Sequence, residues 1–283
     1  MDLYIGQPVS YLNRLGNGYA LSHEMKDNVI IEKYKSLNNL ILDNGADELG
    51  EGQGGSRLAY LAGKLDPDWI ILPDVLHKDK KTRNRGLEFY AGMKDSGYKG
   101  KYIAVIQAKT VEKGLESYKF WSSTGIVDRI GVTYDTKIET SWVEEPWGNR
   151  LGFLYDLVYD DAYWANPIPI HMLGTLEVAE MFKLHRDSRF SEVLEFVGSH
   201  DTTAPWACDT KFNNKFGVIS FGREKNWERL NFNISYTEQQ LDVRYWNVAC
   251  YLAACLIPKK SWEFYMPRDR VEVLFGQLEV YYA

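Results

Sequence analysis

Short apolar runs that stop abruptly at polar or glycine residues recur along the 283-residue chain. Residues 39–42 run into Asp43-Asn44-Gly45, and residues 69–72 into Pro73-Asp74. Residues 102–106 end at Gln107, 128–130 at Gly131 and 168–173 at Gly174. Residues 194–197 lead to Ser199-His200-Asp201, and residues 217–220 close the series. Continuous apolar runs of this kind suit strands covered on both faces, as in a parallel sheet. Between them, amphipathic spacing predicts helices over residues 56–64, 82–93, 111–121 and 175–185. With a strand at residues 3–5, the alternation gives eight strand–helix units and predicts a (β/α)8 TIM barrel. A doubly wound sheet shares the alternation, but eight units in this length favour closure. One domain is expected over residues 1–283, with its core in residues 1–230. A short C-terminal extension follows, a helix over residues 237–256 and then Tyr- and Trp-rich structure.

This architecture decides which positions matter. Asp43, Asp74, Gln107, Gly131, Gly174 and Asp201 each fall at the carboxyl end of an expected strand, the rim where barrels place their chemistry. One such carboxylate alone reads as a helix N-cap. Three aspartates, a glutamine and two glycines on successive ends read as a site. The glycine-rich residues 50–56 lack the Gly-Lys-Ser/Thr ending of a phosphate-binding loop and are expected as a mobile loop over the barrel mouth.

Composition changes the picture little. Hydrophobic residues are 45% and charged residues 25%, ordinary for a soluble globular chain. The 19 Tyr and 9 Trp could stack bases, although aromatic residues more often fill cores. A net charge of -6 argues against a protein that coats nucleic acid. A local basic strip, with Lys80, Lys81, Arg83 and Arg85 at its centre, could still follow a phosphate backbone; its plain alternative is a solvated helix face. Cys208, Cys250 and Cys255 form no disulfide framework, so a reducing cytoplasm is expected. The first residues lack a signal-peptide pattern, and the longest apolar stretch is too short for a bilayer, so no membrane partner is expected.

Two carboxylates on one rim suit displacement at an anomeric carbon, one attacking C1′ while the other moves protons. The residues alone leave a sugar hydrolase and a base exchanger equally open. The ordered motifs Leu42-Asp43-Asn44-Gly45-Ala46, Pro73-Asp74-Val75-Leu76, Val105-Ile106-Gln107, Arg129-Ile130-Gly131, His171-Met172-Leu173-Gly174 and His200-Asp201-Thr202-Thr203-Ala204-Pro205 narrow the choice. Together they resemble the tRNA-guanine transglycosylase superfamily, which also contains DNA 7-deazaguanine transglycosylases of phages and bacterial modification islands.

The resemblance implies roles residue by residue. Asp201 matches the nucleophile, and Asp43 the acid/base aspartate, with Asn44 where the family has serine. Asp74 and Gln107 match the groups that read the guanine edge. Gly131 matches the glycine lying against the base, and the stretch from His171 through Leu173 to Gly174 shapes the pocket floor.

Two departures bear on the polymer. The family's zinc-binding cysteine motif is absent, so no metal and no cofactor is expected. Trp206-Ala207-Cys208 stands where tRNA enzymes carry arginines. DNA is therefore the expected partner, with tRNA second and a free base such as 7-cyano-7-deazaguanine as small-molecule substrate. A host cytoplasm is the expected location if the chain is phage-encoded. A hydrolase and a homodimer remain open, whereas Asp43, Asp74, Gln107 and Asp201 together argue against a non-enzymatic partner subunit, since a scaffold need not keep them.

Overall fold

The runs at residues 39–42, 69–72, 102–106, 128–130 and 168–173 become strands of one sheet. The computed structural model describes residues 1–6, 17–134, 136–140, 148–175, 178–202 and 236–255. Strands β1 (Asp2–Ile5) and β2 (Asn17–Leu21) come first, then helix α1 (Asn28–Lys35), β3 (Asn38–Asp43), α2 (Ala46–Leu49) and α3 (Gly55–Leu65). The chain continues through β4 (Trp69–Ile71), α4 (Asp79–Asp95), β5 (Lys101–Ile106), α5 (Val111–Thr124) and β6 (Arg129–Thr133). Then come α6 (Gly148–Val158), α7 (Asp161–Ala165), β7 (Ile170–Leu173), α8 (Val178–Arg186), α9 (Ser191–Phe196), β8 (Val197–Thr202) and α10 (Glu238–Ala254).

All eight strands are parallel, in the order β1-β8-β7-β6-β5-β4-β3-β2. The free edges β1 and β2 approach each other, and the Asn17 side-chain amide donates to the Leu3 carbonyl at 3.0 Å. The result is a nearly closed (β/α)8 TIM barrel.

Which face lines the interior follows from contacts between strands that are not neighbours. Arg129 on β6 reaches Asp2 on β1 at 2.8 Å, passing β7 and β8. Its guanidinium also lies 3.9 Å from the ring centroid of Trp69 on β4. Such contacts are possible only through the lumen. Residues paired in a parallel register share a face. Tyr4, Asp201, Gly131 and His171 therefore point inward with Asp2 and Arg129.

The helices are held by ordinary local rules. Asp27 caps α1 by accepting from the Ile30 amide at 2.9 Å, and Ile30, Ile31 and Tyr34 form its buried stripe. In α3 the buried positions are Leu58, Leu61, Ala62 and Leu65, the spacing of one helical face. Thr237 and Gln240 form a reciprocal capping box at the start of α10. No described helix is long and apolar enough to cross a membrane.

Three expectations need correction. The strand expected over residues 194–197 is mostly α9, and β8 instead carries the polar sequence Gly198-Ser199-His200-Asp201. Polar residues can form this strand because Ser199 and Asp201 find partners inside the lumen. Gly131 lies in the middle of β6 and not at its end, opposite Val105 and His171. The strand outlasts the apolar run because Thr133 still pairs with Leu173. β2 was not foreseen from the sequence, whereas the expected strand over residues 217–220 lies outside the described residues.

Candidate active site

Asp43 closes β3, and Asp201 is the penultimate residue of β8. β2 and β1 stand between those two strands at the rim. Tyr19 on β2 donates its hydroxyl to Asp43 Oδ2, and the Gly45 amide donates to Asp43 Oδ1 at 2.5 Å. That second bond needs a sharp turn directly after the strand, which Gly45 supplies with φ +75°. Ser22 and His23, just after β2, flank the same turn. A side chain at position 45 would come within 3.2 Å of His23 Nδ1 and 3.3 Å of Ser22 Oγ.

Asp74 lies three residues beyond β4 and is buried. Gln107, directly after β5, donates from Nε2 to Asp74 Oδ2 at 2.5 Å. Gln107 Oε1 in turn accepts from the His77 amide at 2.9 Å. Asn44 donates to Asp74 Oδ1 at 2.8 Å and to the Leu72 carbonyl at 2.7 Å, while its own oxygen accepts from the Ala46 amide at 2.9 Å. The two residues expected to read a base are thus brought together and bonded to each other. Asn44, noted in the sequence only as a replacement for serine, is the hinge pin between the Asp43 turn and Asp74.

The glycine-rich loop lies against this group. Gly52 donates to the Asp74 carbonyl at 2.7 Å, and Gln53 to the Asn44 carbonyl at 2.8 Å. A Cβ at Gly52 would approach Asn44 Oδ1 to 3.0 Å, so a larger residue would push the loop away. Glu51 at its tip receives Lys81 at 3.0 Å and Arg85 at 3.4 Å.

Asp201 is held through one carboxylate oxygen and its backbone carbonyl. Its Oδ1 lies 3.1 Å from His171 Nε2 and accepts from the Gly174 amide at 3.1 Å. Its backbone carbonyl accepts from the Thr175 amide at 2.7 Å and from Thr175 Oγ1 at 2.6 Å. Gly174 has φ +62°, which turns its amide back toward the strand end. Oδ2 has no hydrogen-bond partner among the described residues. Leu173 fills the space that Gly131 leaves open, where a Cβ would stand 2.8 Å from Leu173 Cδ1.

Sequence reading missed Arg150 altogether. This fully buried residue on α6 forms a two-pronged ion pair with Glu180 on α8, with Nε to Oε1 at 2.6 Å. It also donates to the Val132 carbonyl at 3.2 Å and the Leu173 carbonyl at 2.5 Å. An arginine on the apolar side of a mostly apolar helix, beside Leu151, Phe153 and Leu154, was the available signal.

The basic strip lies in the first two turns of α4, beside the mouth, and Lys78, Asp79, Lys80, Lys81 and Asn84 line a surface recess there. Three of its four expected cations are engaged. Lys81 and Arg85 pair with Glu51, and Arg83 pairs with Asp79 at 2.5 Å while lying over the Phe120 ring.

Cys250 and Cys255 are buried thiols on and just after α10. Burial pushes the Cys255 thiol well above its usual range. No group of three or more His, Cys, Asp or Glu residues that could hold a metal ion occurs among the described residues. Cys208 and the Trp206 segment lie outside them. No family model matches the chain, and no curated protein matches it.

Proposed function

We propose that the protein is a DNA-guanine transglycosylase that replaces guanine with a 7-deazaguanine base. The observation that carries this reading is the state of Asp201 at the barrel mouth. One of its oxygens is fixed by two donors, and the other has no partner among the described residues. That is the arrangement a carboxylate nucleophile needs, because attack requires one oriented, unengaged oxygen.

In the proposed reaction Asp201 Oδ2 attacks C1′ of a deoxyguanosine, and the C1′–N9 bond breaks as the ester forms. The departing guanine takes a proton from Asp43. The incoming 7-deazaguanine then returns a proton to Asp43 from N9, attacks C1′ and expels the Asp201 carboxylate. One proton cycles through Asp43, and no redox partner is required. Tyr19, bonded to Asp43, keeps that carboxyl oriented toward the lumen side of β3.

Asp74 and Gln107 supply the recognition chemistry. A guanine-like base offers an N–H and an exocyclic amine on one edge, which a carboxylate accepts, and a carbonyl that an amide can meet. Because C1′ is inaccessible in a stacked duplex, the nucleotide must leave the helix to react.

The deciding experiment supplies labelled 7-deazaguanine together with duplex DNA or tRNA. Label in DNA is the expected result. Label in tRNA alone would move the activity to the other polymer, and guanine release without incorporation would make the enzyme a hydrolase. Neither label nor release would overturn the reading.

Two further outcomes follow from the geometry. Asp74→Ala removes the acceptor of both Gln107 Nε2 and Asn44 Nδ2. In the proposed complex the N–H and exocyclic amine of the base lose their acceptor too, and each buried donor left unpaired costs on the order of 1–3 kcal/mol. Free-base affinity measured by calorimetry should fall by at least tenfold, and equal affinity would remove Asp74 from base recognition.

Lys80→Gln with Lys81→Gln neutralises two of the three exposed lysines of the α4 recess. If both meet phosphates, the slope of log binding constant against log salt should become shallower by about 1.8. An unchanged slope would leave the strip as a solvated helix face. Arg83 and Arg85 are less suited to this test, since both are half-buried and paired.

A further inference from the structure

A chain of polar side chains runs up the inside of the barrel to Asp201. It begins at the amino ends of the strands, where Arg129 donates to Asp2 Oδ2 at 2.8 Å and to Ser199 Oγ at 2.7 Å. Ser199 Oγ lies 2.7 Å from His171 Nδ1, and His171 Nε2 lies 3.1 Å from Asp201 Oδ1. Ser199 and His171 are entirely buried, and the edge of the Tyr4 ring closes over the imidazole at 6.2 Å between centroids. The register puts His171 opposite Ser199, with Asp201 two residues further along β8 toward the mouth.

We infer that His171 is the positioning residue for Asp201, a neutral imidazole that donates from Nε2 to Oδ1 and so commits Oδ2 to the reaction. The inference deepens the transglycosylase reading and rests on it for the identity of the reaction.

The proton positions follow from the partners. Arginine can only donate, so Ser199 Oγ must accept from Arg129. An ionised Asp201 facing His171 Nε2 requires a hydrogen on that nitrogen. A neutral ring then leaves Nδ1 as an acceptor, and the Ser199 hydroxyl has its own proton to give it. Each hydrogen bond of the run then has one donor and one acceptor.

The alternative is a doubly protonated ring, and the surroundings oppose it. Burial drives the His171 pKa down, and the charges of Arg129 and Arg150 push the same way; the bond and charge of Asp201 act in the opposite sense. Burial is the largest of these influences, so the imidazole stays neutral.

Depth settles which member of the pair reacts. In a Ser-His-Asp triad the carboxylate is the buried partner and orients a histidine that works at the surface. Here the order is inverted. His171 has no exposed side-chain surface, whereas Asp201 retains 5%. A base that must touch substrate cannot sit below the group it supports, so His171 moves no proton of the substrate.

Two arms test the inference. In the first, ring 15N NMR of the free protein should show a single neutral tautomer with hydrogen on Nε2 between about pH 6 and 8. Ser199→Ala should mix the tautomers. A protonated ring, or hydrogen on Nδ1 in the unaltered protein, would overturn the inference whatever the enzyme does.

In the second arm, single-turnover formation of the covalent DNA adduct is compared among variants. His171→Leu should slow it by about tenfold to a hundredfold, the worth of one charge-assisted hydrogen bond, with free-base affinity unchanged. His171→Gln, which retains an N–H donor, should recover part of the loss, and Ser199→Ala should lie between wild type and His171→Leu. Thermal unfolding of each variant separates a misfolded chain from a misoriented carboxylate. Wild-type rates in both His171→Leu and Ser199→Ala would overturn the positioning role. An unaltered protein that shows the expected tautomer but forms no adduct would count against transglycosylation alone and support the hydrogen-bond assignment.

Discussion

Asp201→Asn should abolish the covalent enzyme–DNA adduct while leaving the protein folded. The replacement is nearly isosteric, and the amide oxygen can keep both bonds that now reach Oδ1, from His171 Nε2 and the Gly174 amide. The backbone bonds from Thr175 to the residue 201 carbonyl are untouched. What changes is the second atom, from an anionic oxygen to an NH2 group that cannot attack carbon. Loss of a catalytic nucleophile lowers turnover by on the order of 10^4 or more. Denaturing gel electrophoresis with labelled DNA reads the adduct directly, and free-base affinity and unfolding temperature serve as the controls. An adduct of normal yield in Asp201→Asn would transfer the nucleophile's role to another residue, with Asp43 the first to examine.

Much of the barrel could be read because its strands are apolar on both faces, and alternation with helices is a signal that survives errors in individual boundaries. Reading failed at β8 because its lumen positions are polar. Residues 197–202 form a strand with Ser199, His200 and Asp201 in it because Arg129, His171 and Cys255 lie around them, and none of those neighbours is close in sequence. The apolar stretch just before them was the more strand-like piece by composition, yet it belongs to α9. β2 hid for a different reason. Asn17 and Gly18 have weak strand preference, and a Cβ at Gly18 would fall 2.6 Å from Leu37 Cδ1, so a larger residue there would displace that side chain.

The rim residues were found because strand ends are predictable once the alternation is seen. Their bonding was not. Nothing local in the sequence indicates that Asn44 would bridge to Asp74, that Gln107 would spend its amide on Asp74 or that Tyr19 would reach Asp43. The basic strip shows the same limit. Lys81 and Arg85 looked like a free cationic face, and their partner Glu51 comes from a loop about 30 residues earlier, brought over by the barrel's winding.

Arg150 joins stability to the site, and its replacement should have the largest effect on folding. The guanidinium has no solvent exposure, and its partner Glu180 has none either. Its remaining donors meet the carbonyls of Val132 and Leu173, so one side chain ties α6, α8, β6 and β7 together. Arg150→Met would leave the Glu180 carboxylate buried without that partner and two carbonyls short of a donor. Removing one member of a buried ion pair costs about 3–5 kcal/mol, a large fraction of the roughly 5–15 kcal/mol that holds a domain folded. Chemical denaturation should show this as a markedly lower midpoint. The double change Arg150→Met with Glu180→Leu removes both charges and should recover much of the loss, because well-packed apolar substitutes for a buried pair are often neutral. Recovery of stability should not bring full recovery of activity. The Leu173 carbonyl that Arg150 holds immediately precedes the Gly174 amide bonded to Asp201, so the double variant should fold and still form the adduct slowly. A double variant with both stability and adduct formation restored would make Arg150 a support of the fold alone. A single Arg150→Met variant of wild-type stability would mean that the Glu180 carboxylate finds another partner or takes up a proton when the arginine is gone.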